Sequence, residues 1–180
     1  MMNVNYKILC LSGSIRKNSL NEKVLFTIRN QQPGLRYDFF DLSSLPYFNP
    51  DLEGEQTPPP VLAFLKAIEK TDAVLICTPE YVFSLPGLLK NALEWTVSSI
   101  VFSDKPLAFV IASSAGEKAF ETLDLIMSTL GAKTSEETKL LIRSPKSKLN
   151  EQGEFDSQTL AQLHNLMKAL NILVTEARKE

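Results

Sequence analysis

Apolar and polar positions along this chain alternate between two kinds of segment. Short apolar runs fall at residues 8–11, extended back to Tyr6, at 73–77 and at 107–111, the pattern of strands buried on both faces of a parallel sheet, and residues 139–142 add a further strand. Residues 35–40 alternate and are aromatic enough to add another strand, followed by a loop over 41–46. Between these runs the apolar residues recur every three or four positions. Leu20, Val24, Leu25 and Ile28 mark one helix, stopped by Pro33-Gly34, and Val61, Leu62, Leu65 and Ile68 mark a second. A third, over 85–97, carries Leu88, Leu89, Ala92, Leu93 and Val97, with Pro86 in its first turn. Phe120, Leu123, Met127 and Leu130 define a fourth, closed by Gly131, and Leu160, Leu163, Met167, Leu170 and Val174 a fifth. Five strands alternating with helices predict an α/β fold, a doubly wound parallel sheet with helices on both faces. Residues 49–60, with Gly54 and three consecutive prolines, read as an irregular exposed insertion, so the 180 residues are expected to form a single domain.

Composition narrows the function classes without choosing among them. The chain is 44% hydrophobic and 22% charged, with a formal net charge of −2. That gives no electrostatic footprint for nucleic acid or an anionic membrane, and neither is expected as a partner. No apolar run approaches a membrane span and the first seven residues lack a long apolar stretch, so a cytoplasmic location is expected. Cys10 and Cys77 lie inside strand-like runs rather than at metal-ligand spacing, which predicts buried, reduced thiols. A single histidine leaves zinc or a histidine-based triad little to work with.

The most distinctive stretch follows the first strand. From Ser12 it reads Ser-Gly-Ser-Ile-Arg-Lys-Asn-Ser-Leu-Asn, ending at Asn21. Gly13 permits a tight turn, the serine and asparagine side chains are compact hydrogen-bonding groups, and Arg16 is a fixed positive charge. The next helix would point its open N–H groups at an anion. The same residues also suit an ordinary helix start, with Ser19 or Asn18 as cap and Arg16 solvated. If the strand order is 2-1-3-4-5, the direction of winding reverses between the first and third strands, and ligands sit outside their carboxyl ends. The loop after the third strand would then lie beside the cradle. Pro79 and Pro86 stiffen it, and Tyr81 and Phe83 offer flat apolar surface to a planar ring.

These two segments resemble the NADPH-dependent FMN reductases of the flavodoxin-like superfamily, which include azo, quinone and chromate reductases. The family's Gly-Ser-x-Arg-x-x-Ser-x-Asn is matched by Gly13, Ser14, Arg16, Ser19 and Asn21. Its second motif is matched at Pro79, Glu80, Tyr81, Pro86, Gly87, Lys90, Asn91, Ala92, Glu94 and Trp95, with Val82 in place of the usual Asn. The resemblance implies a flavodoxin-like three-layer sandwich that uses FMN, with NADPH or NADH as donor and a free flavin, quinone, azo compound or metal oxyanion as acceptor. It implies that Ser12, Ser14, Arg16, Ser19, Leu20 and Asn21 surround the phosphate, and that Pro79, Glu80, Tyr81, Val82 and Phe83 line the ring. Ser113, Ser114 and Gly116 stand where the family has a glycine-rich turn against the flavin. The chemistry would be borne by the flavin, with no catalytic side chain required. The resemblance also implies a homodimer or homotetramer built through the helix containing Leu88, Leu89 and Trp95.

Several tempting residues have plainer readings. Glu80 as a lone carboxylate reads as a solvated loop residue rather than a base. His164 reads as exposed on the last helix, and Asp41 as a turn former rather than a ribose-binding acid, because the first loop lacks G-x-G-x-x-G. A flavodoxin-like electron carrier, or a module that binds a phosphate ligand or a partner without turnover, stands as the alternative to a reductase.

Overall fold

The computed structural model describes residues 6–179; residues 1–5, part of the N-terminal stretch read above, lie outside the described residues. Five strands form one parallel sheet: β1 (Lys7–Ser12), β2 (Arg36–Phe40), β3 (Ala73–Thr78), β4 (Leu107–Ser113) and β5 (Lys139–Arg143), in the order β2-β1-β3-β4-β5. The helices are α1 (Leu20–Gln31), α2 (Pro59–Glu69), α3 (Gly87–Glu94), α4 (Glu117–Thr129) and α5 (Ser157–Ala177). The fold is the expected flavodoxin-like one.

The unbroken apolar runs are explained by the two cores the sheet divides. Leu9 and Leu11 of β1, Val74 and Ile76 of β3, and Phe109 and Ile111 of β4 face one layer, with α2, α3 and α4. Ile8 and Cys10, Leu75 and Cys77, and Ala108 and Val110 face the other, with α1 and α5. Each central strand therefore needs apolar residues on both pleats, and all six residues of β3 are buried.

The structure adjusts several expectations. The buried stripe of α2 is Val61, Phe64 and Ile68, while Leu62 is exposed and Leu65 half-buried. The helix starts inside the proline triplet, at Pro59, where a missing N–H costs nothing. α3 spans only Gly87–Glu94, and Val97 beyond it is exposed. Asp41 does form a turn: its carboxylate accepts from the Ser43 N–H and hydroxyl at 3.0 and 2.6 Å. His164 is exposed, as expected.

The helix expected at the oligomer contact turns part of its apolar face inward. Leu89 and Trp95 are buried in this chain's own core, and Leu88 is half-buried. Trp95 Nε1 and Asn91 Nδ2 both donate to the Pro46 carbonyl, at 2.8 and 2.9 Å, and Asn91 Oδ1 accepts the Phe48 N–H at 2.7 Å. These two motif residues thus pin the segment that leads into the insertion, because buried polar groups require partners.

Both thiols are buried and unpaired. Burial pushes the Cys10 thiol from 9.0 to about 12 and Cys77 well above its usual value, and it raises the Tyr6 hydroxyl from 10.0 to about 12. In the unfolded chain the Cys10 thiol and the Tyr6 hydroxyl release protons near their ordinary values, whereas the native state keeps both until about pH 12. Stability is therefore complete below pH 9.0 and falls as pH rises from there towards 12. The expected result is a urea midpoint that is level from about pH 7 to 8.5 and drops by pH 10.5, with the drop reduced in Cys10→Ala. A midpoint unchanged across that range would contradict the burial of the thiols.

Candidate active site at the carboxyl edge of the sheet

The loops after β1, β3 and β4 meet at one edge because their strands are neighbours. β1 and β3 stay paired to the last residue, Ser12 opposite Cys77, and the Gly13 N–H continues the ladder onto the Cys77 carbonyl at 2.9 Å. A Cβ on Gly13 would lie 2.1 Å from Thr78 Oγ1 and 2.6 Å from Thr78 Cβ. Gly13 is therefore required for close approach to β3, and its φ is not positive, so the tight-turn reason is replaced.

Beyond Gly13 the chain builds a loop from its own hydroxyls. Ser12 Oγ donates to the Ser14 carbonyl and accepts the Ser14 N–H, and Ser14 Oγ accepts the Arg16 N–H at 3.3 Å. Asn18 takes a left-handed φ of 57°, which asparagine tolerates, and its N–H is held by Glu22 Oε2 at 3.1 Å. Ser19 caps α1, accepting the Glu22 N–H at 3.0 Å. The N–H groups of Ile15, Lys17, Leu20 and Asn21 have no partner among the described residues, and the exposed Arg16 makes no ion pair among them. Ser14 and Ser19 hydroxyls accept one bond each and keep a proton to give. Open donors, one fixed cation and a helix N-terminus in a single loop fit a phosphate monoester.

Asn21 does not join this set through its side chain. It is buried, and its Oδ1 accepts the Cys77 thiol at 3.3 Å, tying the first turn of α1 to the end of β3. Leu20, half-buried, offers the loop only backbone.

The loop after β3 is a two-residue hairpin. Tyr81 N–H donates to the Ser84 carbonyl at 3.0 Å and Ser84 N–H to the Tyr81 carbonyl at 3.1 Å. Val82 and Phe83 between them have φ of 51° and 54°, the type I′ arrangement that asparagine and glycine normally supply. Val82 is 95% exposed, Phe83 76% and Tyr81 53%, so the turn presents an apolar tip to solvent. A β-branched residue there is strained by about 1–2 kcal/mol.

Glu80 is half-buried and its carboxylate is taken up by a helix start. Its Oε2 accepts the Lys118 and Ala119 N–H groups of α4, each at 2.9 Å. Nothing local in sequence signals that partnership. Ser113 ends β4 and its carbonyl accepts the Ser144 N–H at 2.8 Å; Ser114 is exposed. Gly116, with φ 110°, is packed so that a Cβ would meet Leu141 Cδ1 at 2.6 Å. The candidate residues therefore occupy one edge, with Asn21 and Glu80 committed to scaffolding. Thr78, fully buried against Gly13, is a site-shaping residue that the motif reading passed over.

A cleft of about 720 Å³ lies next to the cradle, along the outward face of α1 between Lys23, Phe26 and Phe155, and shares only Asn18 and Ser19 with the loop. It reaches no residue of the β3 or β4 loops. The site is placed instead at the switch point, where the open donors and the aromatic turn share an edge.

Comparison with known proteins gives the family and the fold. Residues 6–145 match the NADPH-dependent FMN reductase family. The chain is 31% identical over 185 residues to an NAD(P)H-dependent FMN reductase of Pseudomonas aeruginosa, covering 98% of this chain and all of that protein. An NADPH:quinone oxidoreductase of Arabidopsis thaliana is 40% identical over 110 residues, 58% of this chain and 56% of that one. Among solved structures, the flavoenzyme NAD(P)H:(acceptor) oxidoreductase FerB of Paracoccus denitrificans superposes with a TM-score of 0.77 at 26% identity, over 95% of this chain and 98% of the other.

The strain at the hairpin tip gives a direct test. Replacing Val82 and Phe83 by Asn and Gly together should raise the unfolding free energy by about 2 kcal/mol. Urea denaturation measures this, and an unchanged or lower stability would show that the tip is not left-handed.

Proposed function

This chain belongs to the NADPH-dependent FMN reductase family, and we infer that it is an FMN-dependent oxidoreductase taking hydride from NADPH or NADH to a small acceptor. The acceptor classes are those that the resemblance of the two loop motifs implies: a free flavin, a quinone, an azo compound or a metal oxyanion. One observation carries the reading. The unsatisfied donors at the start of α1, with Arg16 beside them, share a sheet edge with the exposed aromatic turn at Tyr81 and Phe83.

In this reading the phosphate of FMN is held by the Ser14 and Ser19 hydroxyls, the Arg16 guanidinium and the N–H groups of Leu20 and Asn21. Ser12 shapes that loop from within. Pro79, Tyr81, Val82 and Phe83 flank the ring from the β3 side, and Ser113, Ser114 and Gly116 from the β4 side. When bound, FMN supplies the capacity to accept and release hydride. The chain's part is to orient the donor and then the acceptor against the same apolar wall. No titrating side chain faces that wall from the hairpin tip, where Val82 and Phe83 stand. Proton balance is left to water or to the acceptor itself.

No helix among the described residues is long and apolar enough to cross a membrane. We place the protein in the cytoplasm as one domain, acting on small molecules as a homodimer or homotetramer. The apolar residues that the α3-to-β4 segment leaves for such a contact are Leu88, Val97 and Ile100, the last 86% exposed.

The decisive experiment is an anaerobic titration of the FMN-loaded protein with NADPH. The flavin absorbance should bleach to completion and return when a quinone is added, and a flavin that never bleaches would overturn the reading. In parallel, Arg16→Ala should weaken FMN binding by roughly 10- to 100-fold, the loss of a hydrogen bond to a charged group, and leave riboflavin, which has no phosphate, bound as before.

A further inference from the structure

The start of α4 has no cap of its own. Gly116 precedes the helix in a left-handed conformation and carries no side chain, and no local side chain bonds the first turn. The vacant position is filled from a distant part of the chain. Glu80 Oε2 takes the N–H groups of Lys118 and Ala119, both at 2.9 Å, across sequence separations of 38 and 39 residues. A carboxylate on a helix N-terminus is favoured both by hydrogen bonding and by the helix dipole. The Lys118 ammonium turns away to Glu121, and Glu117 to Arg143, so neither side chain competes for Glu80.

The consequence is geometrical. Glu80 sits one residue before the strained hairpin Tyr81–Ser84, and its two acceptor bonds end one and two residues beyond Glu117, where the β4 loop enters its helix. The single carboxylate therefore locks the hairpin and the Ser113–Gly116 loop into one rigid body. Gly116, closed against Leu141 and Ile111, fixes that body to the sheet. Left-handed Val82 and Phe83 persist only where the surroundings over-determine them, and Glu80 is the anchor nearest to them.

We propose that Glu80 is a positioning residue: it sets the spacing of the two ring-side loops by capping α4 from the hairpin, and so determines how the isoalloxazine is held. This rests on the flavin reading above. The residue touches neither hydride donor nor acceptor and moves no proton.

The test uses the holoenzyme with Glu80→Ala and Glu80→Gln. The Ala variant should bind FMN and riboflavin about tenfold more weakly, both to the same degree because the defect lies at the ring, and should alter the visible circular dichroism of the bound flavin. Gln, whose amide oxygen can accept both N–H groups, should restore affinity to within about threefold and recover the wild-type spectrum. If Glu80→Ala binds both flavins with wild-type affinity and spectrum, Glu80 is a helix cap only and the proposal falls, whatever happens to the melting temperature. A Gln variant as weak as Ala would also overturn it. A wild-type protein that takes up no FMN would instead sink the underlying flavin reading, a failure visible before any variant is made.

Discussion

The close approach of β1 and β3 at their carboxyl ends is the constraint on which the site depends. Two strands that remain hydrogen-bonded to their last residues, and one residue beyond, cannot admit a side chain at Gly13 with Thr78 Oγ1 where a Cβ would stand. The two loops must therefore leave from almost the same point and diverge over the sheet edge. One turns towards α1 and the other towards the hairpin, and the space between them is the crevice expected where the winding of the sheet reverses. A wider gap at Gly13 would separate the polar loop from the aromatic turn, and neither alone describes a nucleotide-like ligand.

The starts of α1 and α4 both lie at this edge, and the chain treats them oppositely. The start of α1 keeps backbone donors open and places Arg16 beside them. The start of α4 is filled by the Glu80 carboxylate. An anion arriving at the edge thus meets one receptive dipole and one already neutralised. In the function proposed above, that asymmetry would set the charged end of the ligand at α1 and leave its flat end to the hairpin. Glu22 contributes on the receptive side by holding the Asn18 N–H, which fixes the curvature of the loop.

Much of this was legible in the sequence because it follows from local pattern. The apolar runs announce strands buried on both faces, Ser19 announces the cap of α1, and Asp41 announces its turn. What escaped depends on contacts distant in sequence. Asn21 reads as a ligand group by its place in the motif, yet it turns inward because Cys77 lies opposite across the crevice floor. Asn91 reads only as a motif position and Trp95 as part of the contact helix, and only the fold shows that both reach the Pro46 carbonyl. Phe64 displaces Leu62 from the α2 stripe because Val61, Phe64 and Ile68, spaced three and four apart, share the face that packs on the sheet. Glu80 finds a partner 38 residues away, which no periodicity encodes. The left-handed pair Val82 and Phe83 is hidden for the opposite reason: local propensity argues against it, and the surrounding structure overrules propensity.

The two outer strands carry a consequence of their own. β2 and β5 are each five residues long, and both place charge along the rim of an open sheet: Arg36 and Asp38 on one, Lys139 and Arg143 on the other. Lys7 pairs with Asp38, and Lys139 lies between Asp124 and Glu136. A further strand added at either rim would have to desolvate these groups and disrupt the pairs, a protection commonly built into exposed sheet edges. The sheet thus ends at five strands with charge, rather than closure, at both of its rims.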